Sequence, residues 1–154
     1  MWCHQFLASR GLCSETIPVL RIHNSNTRKT NYHYRFYTWT SASLNWIHAA
    51  FYNNDVKVVP QNVADYLDPL ALAVWIMDDG GKATHGGLQI STCAFTVNEV
   101  ELLVSILKDK YGLKCSIQKP NTRPTIYIYK QSIPILQELV LPYMVKSMHY
   151  KLGL

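Results

Sequence analysis

The stretch from Leu67 to Gly81, LDPLALAVWIMDDGG, constrains the chain more than any other. Asp68 before Pro69 makes a helix start, because an N-cap carboxylate is followed by a ring at the first helical position, where a missing N–H costs nothing. Leu70, Ala73, Val74 and Met77 then fall at helical spacing, and Gly80 and Gly81 close the run. The pattern predicts a helix over 69–81 with Asp78 and Asp79 at its C-terminal tip. That end of a helix carries partial negative charge and attracts cations rather than acids. Two readings stay open on these residues alone. The carboxylates hold a divalent cation whose shell is completed by carbonyls and a phosphate or water, or they form a polar exit into a Gly-Gly turn.

With 154 residues, 48% of them hydrophobic, the chain can fill one core or two small halves that share one. No apolar run reaches the roughly 18 residues of a membrane span, and the opening MWCHQFLASRGLC lacks a basic segment followed by an apolar one, so neither a membrane partner nor a targeting signal is expected. Fifteen Lys and Arg against ten acids, with ten tyrosines, suit a surface that meets phosphates and bases, and permit nucleic acid without requiring it. Cys3, Cys13, Cys93 and Cys115 form no CxxC pair and have no His at zinc-finger spacing, which argues for reduced thiols rather than a metal knuckle.

Along the chain, residues 1 to 12 read as the tail of a helix ending at Gly11, as though the chain began mid-fold. Val19 to Asn24 and Tyr32 to Thr40 alternate and read as a hairpin around SNTRKTN, with Leu20 and Ile22 opposite Arg21 and His23, and Tyr34 and Phe36 opposite His33, Arg35 and Tyr37. Ser41 or Ser43 caps a helix through Trp46, Ile47, Ala50 and Phe51, ended by Asn53-Asn54-Asp55. After the central helix, KATHGG reads as a linker and Leu88 to Cys93 as a strand. Thr96 opens the clearest helix, VNEVELLVSILKDKYG, with Glu99 at capping-box spacing. Leu113 to Lys119 and Thr125 to Lys130 form a second hairpin around PNTRP, and a last helix spans Pro134 to Tyr143. The order helix, strand, strand, helix thus occurs twice, and both turns contain NTR, at 26–28 and 121–123, which reads as an internal duplication.

Leu72 to Gly80, LAVWIMDDG, resembles the LAGLIDADG motif of the homing endonucleases, in the variant ending DDGGK at Asp78 to Lys82. The approach KVVPQNVADYLDPLALA, the run STCAFTVNEVELLVSILKDKYGLKC, RPTIYIY and the terminal HYKL are similar to the second half of two-motif members encoded in organellar introns, and the likeness spans nearly the whole chain. It implies an α/β (α+β) fold of two pseudo-repeated αββαββα halves, the first incomplete: residues 1–66 as the end of one half, 67–154 as the second, with motif helix 69–81. It also implies a mitochondrial or other organellar location.

By motif position Asp79 is the catalytic carboxylate and the Mg2+ ligand, and Lys57 in KVVP and Lys151 in HYKL match the family's active-site lysines. On the residues alone, each lysine is equally an ordinary solvated side chain. The family's saddle of strands lies on DNA, which nominates Arg21, His23, Arg35 and Tyr37 in one half and Gln89, Ser91, Ser116, Gln118, Tyr127 and Tyr129 in the other as contacts. Arg28, Lys82 and Arg123, at turns, would neutralise phosphates. Arg and Gln edges suit guanine and adenine.

One departure stands out. Nothing in residues 1 to 66 resembles a first motif with its own terminal acid, so one of the two catalytic carboxylates is expected from elsewhere. Three functions remain. The chain is one piece of a DNA endonuclease whose second polypeptide supplies the missing helix. Or it is an inactive relative that binds structured RNA, as an intron maturase or a structural protein of an organellar ribosome, with aromatic strand residues stacking unpaired bases. Or it is a metabolic hydrolase using Asp78 and Asp79 as an acid pair, which is the weakest because adjacent helical residues point about 100° apart. Exposed apolar surface is expected on the motif helix, where a second polypeptide or an RNA would pack.

Overall fold

The computed structural model describes residues 1–24, 30–119 and 123–154, with the side chains of His23 and Asn24 left aside. It divides into two compact units, Met1–Asn45 and Trp46–Leu154. The division expected at residue 66 follows the proposed duplication. By packing, residues Trp46 to Tyr66 go with the second unit, where Val59, Val63 and Leu67 are buried.

The first unit opens with α1 (Trp2–Ala8) and leaves it through Gly11 at φ +68, a left-handed position that glycine adopts without strain. Arg10 lies over the Phe6 ring, 3.6 Å from its centroid. His4 is buried, with Nε2 2.9 Å from the Ser14 carbonyl and its ring edge-on to Phe36. Strands β1 (Leu20–Asn24) and β2 (Thr30–Tyr34) pair antiparallel, with Leu20 opposite Tyr34, Arg21 opposite His33 and Ile22 opposite Tyr32. The alternation expected in β1 is present, yet its apolar face is open, with Ile22 62% exposed. The strand expected over Tyr32 to Thr40 ends at Tyr34. Beyond it only Thr38 bridges, to Cys13, because the Trp39 N–H turns to the Leu12 carbonyl, 2.8 Å away.

Helix α2 (Asn45–Phe51) follows a 3-10 turn at Ala42–Leu44 capped by the Ser41 hydroxyl. The Asn53-Asn54-Asp55 segment does more than end α2. Asn54 and Asp55 adopt φ 48 and 62, a turn both residue types tolerate, and it joins two short strands, β3 (Tyr52–Asn53) and β4 (Val56–Lys57). After α3 (Val63–Tyr66) comes the motif helix, α4 (Pro69–Asp79), whose N-cap Asp68 accepts the Ala71 N–H at 2.7 Å.

The segment expected as a linker after α4 is partly strand. Gly80 ends the helix not by a left-handed turn but in extended conformation, φ −80 and ψ 148, and starts β5 (Gly80–Lys82). A Cβ there would lie 2.6 Å from the Ile76 carbonyl oxygen, so glycine lets the chain leave the helix close against its own last turn. Strands β5, β6 (Leu88–Ser91), β8 (Thr125–Ile128) and β7 (Cys115–Gln118) form one antiparallel sheet in that order. Leu88, Ile90, Ile126, Ile128 and Cys115 are buried, while Gln89, Ser91 and Gln118 are exposed, so one face is core and the other open.

The core face is covered by α4 through Leu72, Ala73 and Ile76, by α5 (Val97–Tyr111) through Val100, Leu103, Val104 and Leu107, and by α6 (Ile133–Val140) through Leu136 and Val140. Burying each such aliphatic side chain contributes about 1.5–3 kcal/mol. Helix α5 has the expected capping box. The Thr96 hydroxyl accepts the Glu99 N–H, and Glu99 Oε2 accepts the Thr96 N–H at 2.7 Å.

Glu99 Oε1 also accepts the Val59 N–H at 2.9 Å, which ties the segment after β4 to the start of α5. Burial pushes the Glu99 carboxyl up, but the bonds from the Thr96 side chain, the Thr96 backbone and the Val59 backbone outweigh it and leave the group below its ordinary 4.5. A lowered carboxyl contributes stability above its unfolded pKa and loses it as pH falls through the folded value. Wild type is therefore expected to lose more stability than E99Q on acidification from about pH 6 to about pH 3. Urea unfolding at both pH values checks this, and parallel losses in the two proteins would refute it.

Candidate nucleic-acid interface and acidic site

Helix α4 points its acids out of the core. Leu72, Ala73, Ile76 and Met77 face inward, while Asp78 and Asp79 are both exposed. The same outward side carries Leu70, Ala71 and Trp75, half-buried, and Val74, 40% exposed, so the apolar strip expected on the motif helix is present.

The cation demanded by the helix end is Lys151. The C-terminal 3-10 segment Lys146–Leu152 brings it in, with Leu152 buried and its carbonyl held by Gln137 Nε2 at 3.0 Å. Lys151 is only 8% exposed. Its ammonium donates to the carbonyls of Ile76 at 3.2 Å, Met77, and Asp78 at 3.4 Å; the Ile76 carbonyl also accepts the Gly80 N–H, while those of Met77 and Asp78 are among those a helix leaves without intrahelical partners. Expected among the catalytic groups, Lys151 is thus engaged with the backbone behind the acids. Its positive charge offsets the negative helix end and makes room for two carboxylates there.

Lys57, also nominated as catalytic, lines the same hollow as the acids. It stands on β4 with its ammonium 5.4 Å from the centroid of Phe95, and it lines a hollow of about 280 Å³ together with Asp78, Asp79, Phe51 and Trp75. The motif position singles out Asp79, yet Asp78 lines the same hollow. Among the described residues, no three His, Cys, Asp or Glu side chains group to hold a metal. Two carboxylates at an open helix tip fit Mg2+, which binds through one or two carboxylates and takes its other oxygens from water and phosphate.

The open face of the second unit's sheet gathers its nominated contacts in two rows. Gln89, Tyr127 and Ser116 lie side by side across β6, β8 and β7, as do Ser91, Thr125 and Gln118. At roughly 4.8 Å per strand, each row spans about 10 Å, narrow enough to enter a major groove. The side chains are linked: Gln89 Nε2 donates to Thr125 Oγ1 at 3.0 Å, Gln118 Nε2 to Ser116 Oγ at 3.1 Å, and the Tyr129 hydroxyl to Ser116 Oγ at 3.1 Å. Thr125 is buried and supports the row through the bond from Gln89; its position reads in the sequence as an ordinary β-branched strand residue. Lys82 at the end of β5 and Arg123 ahead of β8 are exposed. In the first unit, Arg21 is exposed on β1, while Arg35 and Tyr37 are exposed beyond the end of β2, not on the hairpin face expected for them. His23 pairs with Asn31 by register, and the side chain of His23 and the whole of Arg28 lie outside the described residues.

The profile of the LAGLIDADG DNA endonuclease family matches residues 1–136. The chain belongs to that family. It is 38% identical to the cytochrome b mRNA maturase bI2 of Saccharomyces cerevisiae over 99% of its own length, and 40% identical to the intron-encoded endonuclease ai4 of Dictyostelium discoideum over 98% of both. It spans 38% of the Saccharomyces relative and 59% of the bI2 maturase of Debaryomyces hansenii. The solved structure of the homing endonuclease I-WcaI bound to its DNA recognition sequence matches with a TM-score of 0.79 at 29% identity, over 89% of this chain and 64% of that one. The LAGLIDADG-type α/β fold expected from the motif is therefore the fold observed.

The buried Lys151 cap has a measurable consequence. Lys151→Met keeps the stem volume but leaves three carbonyls without their charged donor, and should lower unfolding free energy by about 2 kcal/mol. Urea denaturation checks it, and a loss below about 0.5 kcal/mol would show the contact to be idle.

Proposed function

We propose that the chain is the second half of a metal-dependent DNA endonuclease that cuts both strands of a duplex together with a first motif helix that residues 1–66 do not resemble. The observation carrying this reading is the convergence of Asp78, Asp79 and Lys57 on one hollow at the tip of the motif helix. Helix α4 runs directly into β5, so the acids adjoin the edge of the polar sheet face. That face, with Gln89, Ser91, Ser116, Gln118, Tyr127 and Tyr129, would lie against base edges, and Lys82 and Arg123 against phosphates.

Asp79, by its place in the motif, would hold Mg2+, and Asp78, about 100° around the helix, would add negative potential beside it. The bound ion would polarise water and offset phosphate charge. Lys57 would neutralise a non-bridging phosphate oxygen as charge builds on it. Lys151 acts through the helix end it caps, holding the last turn at a fixed depth. Val74 and its neighbours would form the seat for the partner helix.

A second reading has its own support, since two relatives carry the name of mRNA maturases. In it the same sheet face holds structured intron RNA, aromatic residues stack unpaired bases, and Asp79 is dispensable. The ribosomal version of this reading draws nothing from those relatives. A mitochondrial or other organellar location rests on the family resemblance alone.

Asp79→Asn separates the two readings. Because Asp79 is exposed, stability should stay within about 0.5 kcal/mol of wild type. Cleavage of a target duplex in Mg2+ by the assembled protein should fall below detection, and retained cleavage would sink the endonuclease reading. Sedimentation of the native protein from extract, with and without ribonuclease, reads the alternative: a large particle dispersed by ribonuclease supports the maturase reading, and a small ribonuclease-insensitive species the nuclease reading.

A further inference from the structure

Two contacts join the strand that carries Lys57 to the start of α5, and both flank the N-cap Thr96. On one side of the cap, the Phe95 ring lies 5.4 Å from the Lys57 ammonium. On the other, Glu99 accepts the Val59 N–H at 2.9 Å with Oε1 while its Oε2 closes the capping box. The Val58 N–H donates to the Phe51 carbonyl at 2.8 Å, and Val59 and Pro60 are buried, so the backbone around Lys57 is fixed although its side chain is exposed. A lysine stem has four rotatable bonds and on an open strand would sample many positions. The electron-rich face of Phe95 favours those with the ammonium over the ring, and Phe95 is itself a wall of the hollow that Asp78 and Asp79 line.

We propose that Phe95 and Glu99 are positioning residues for Lys57: Glu99 fixes its backbone against the α5 cap, and the Phe95 ring holds its ammonium toward the acids at the tip of α4. Neither residue touches substrate. The proposal rests on the reading of Lys57 as a charge-offsetting group, and it adds how that group is held.

The test starts from the whole chain with its lysines reductively methylated with carbon-13, a change that keeps their charge. In proton–carbon spectra the Lys57 signal, identified by its loss in K57R, is expected upfield of the exposed lysines through the ring current of Phe95. It should return to their position in F95L, stay shifted in F95Y, and move part of the way back in E99Q. If F95L does not fold, F95M serves in its place. A Lys57 signal that is unshifted in wild type, or unchanged in F95L, overturns the proposal whether or not the protein cuts DNA.

With a cleavable duplex, F95L should lower the rate at saturating DNA by about tenfold or more with duplex affinity unchanged, and F95Y should restore it. Loss of the shift with full cleavage would overturn the positioning role. Absence of cleavage in wild type would count against the nuclease reading instead, leaving the spectra to decide whether Lys57 is held.

Discussion

A buried ammonium at the end of one helix is the interaction on which the acidic site depends. Two neighbouring carboxylates at a helix C-terminus repel each other and the helix carbonyls alike. Lys151 reaches the carbonyls from the core side and supplies the charge that such an arrangement lacks, from 75 residues further along the chain. Its contacts set the order of the rest. The C-terminal segment must pack on α6 and α4 for the lysine to arrive, and Gly80 must lack a side chain for β5 to leave the helix where it does. The motif helix is thus finished by the last residues of the protein, and the sheet edge begins where that cap ends.

A second tie works at the other side of the acids. Glu99 divides its two oxygens between its own helix cap and the segment after β4, so a single side chain couples the folding of α5 to the placement of Lys57. A carboxylate that accepts backbone N–H groups is a strong, charge-assisted acceptor. The helix start is also steadied at its far end, where Lys110 Nζ donates to the Ala64 carbonyl at 2.6 Å and the Tyr111 hydroxyl to that of Leu67. Helix α5 therefore braces the segment before α4 at both of its ends.

Local signals were the legible ones. Asp68-Pro69 and Thr96-x-x-Glu99 announce helix starts because the bonds they make close within four residues, and both form as read. The alternation of Leu88, Gln89, Ile90 and Ser91 announces a half-buried strand because side chains alternate along any strand. By contrast, GGKATHGG has no apolar alternation, and β5 exists only through its pairing with β6. Tyr32 to Thr40 alternates further than it pairs, since alternation cannot show where a partner strand stops. Of the site, Asp79 and Lys57 were reachable from the motif, whereas the backbone role of Lys151, the ring of Phe95 and the second duty of Glu99 are contacts between residues 38 to 75 positions apart. No periodicity encodes such separations.

The same geometry separates the chemistry from the fold. Leu72, Ala73, Ile76, Met77 and the Lys151 cap hold the buried side of α4, while Asp78 and Asp79 project from the other side and contribute nothing to the core. A change of either acid leaves every inward contact in place. The polar rows on the sheet likewise depend on Thr125 and Ser116, not on the acids. The binding proposed for the sheet and the hydrolysis proposed for the helix tip would therefore rest on separate parts of one scaffold. A chain of this build can lose the second without losing the first, which is the physical condition for one fold to serve as a nuclease in one setting and as an RNA-holding protein in another.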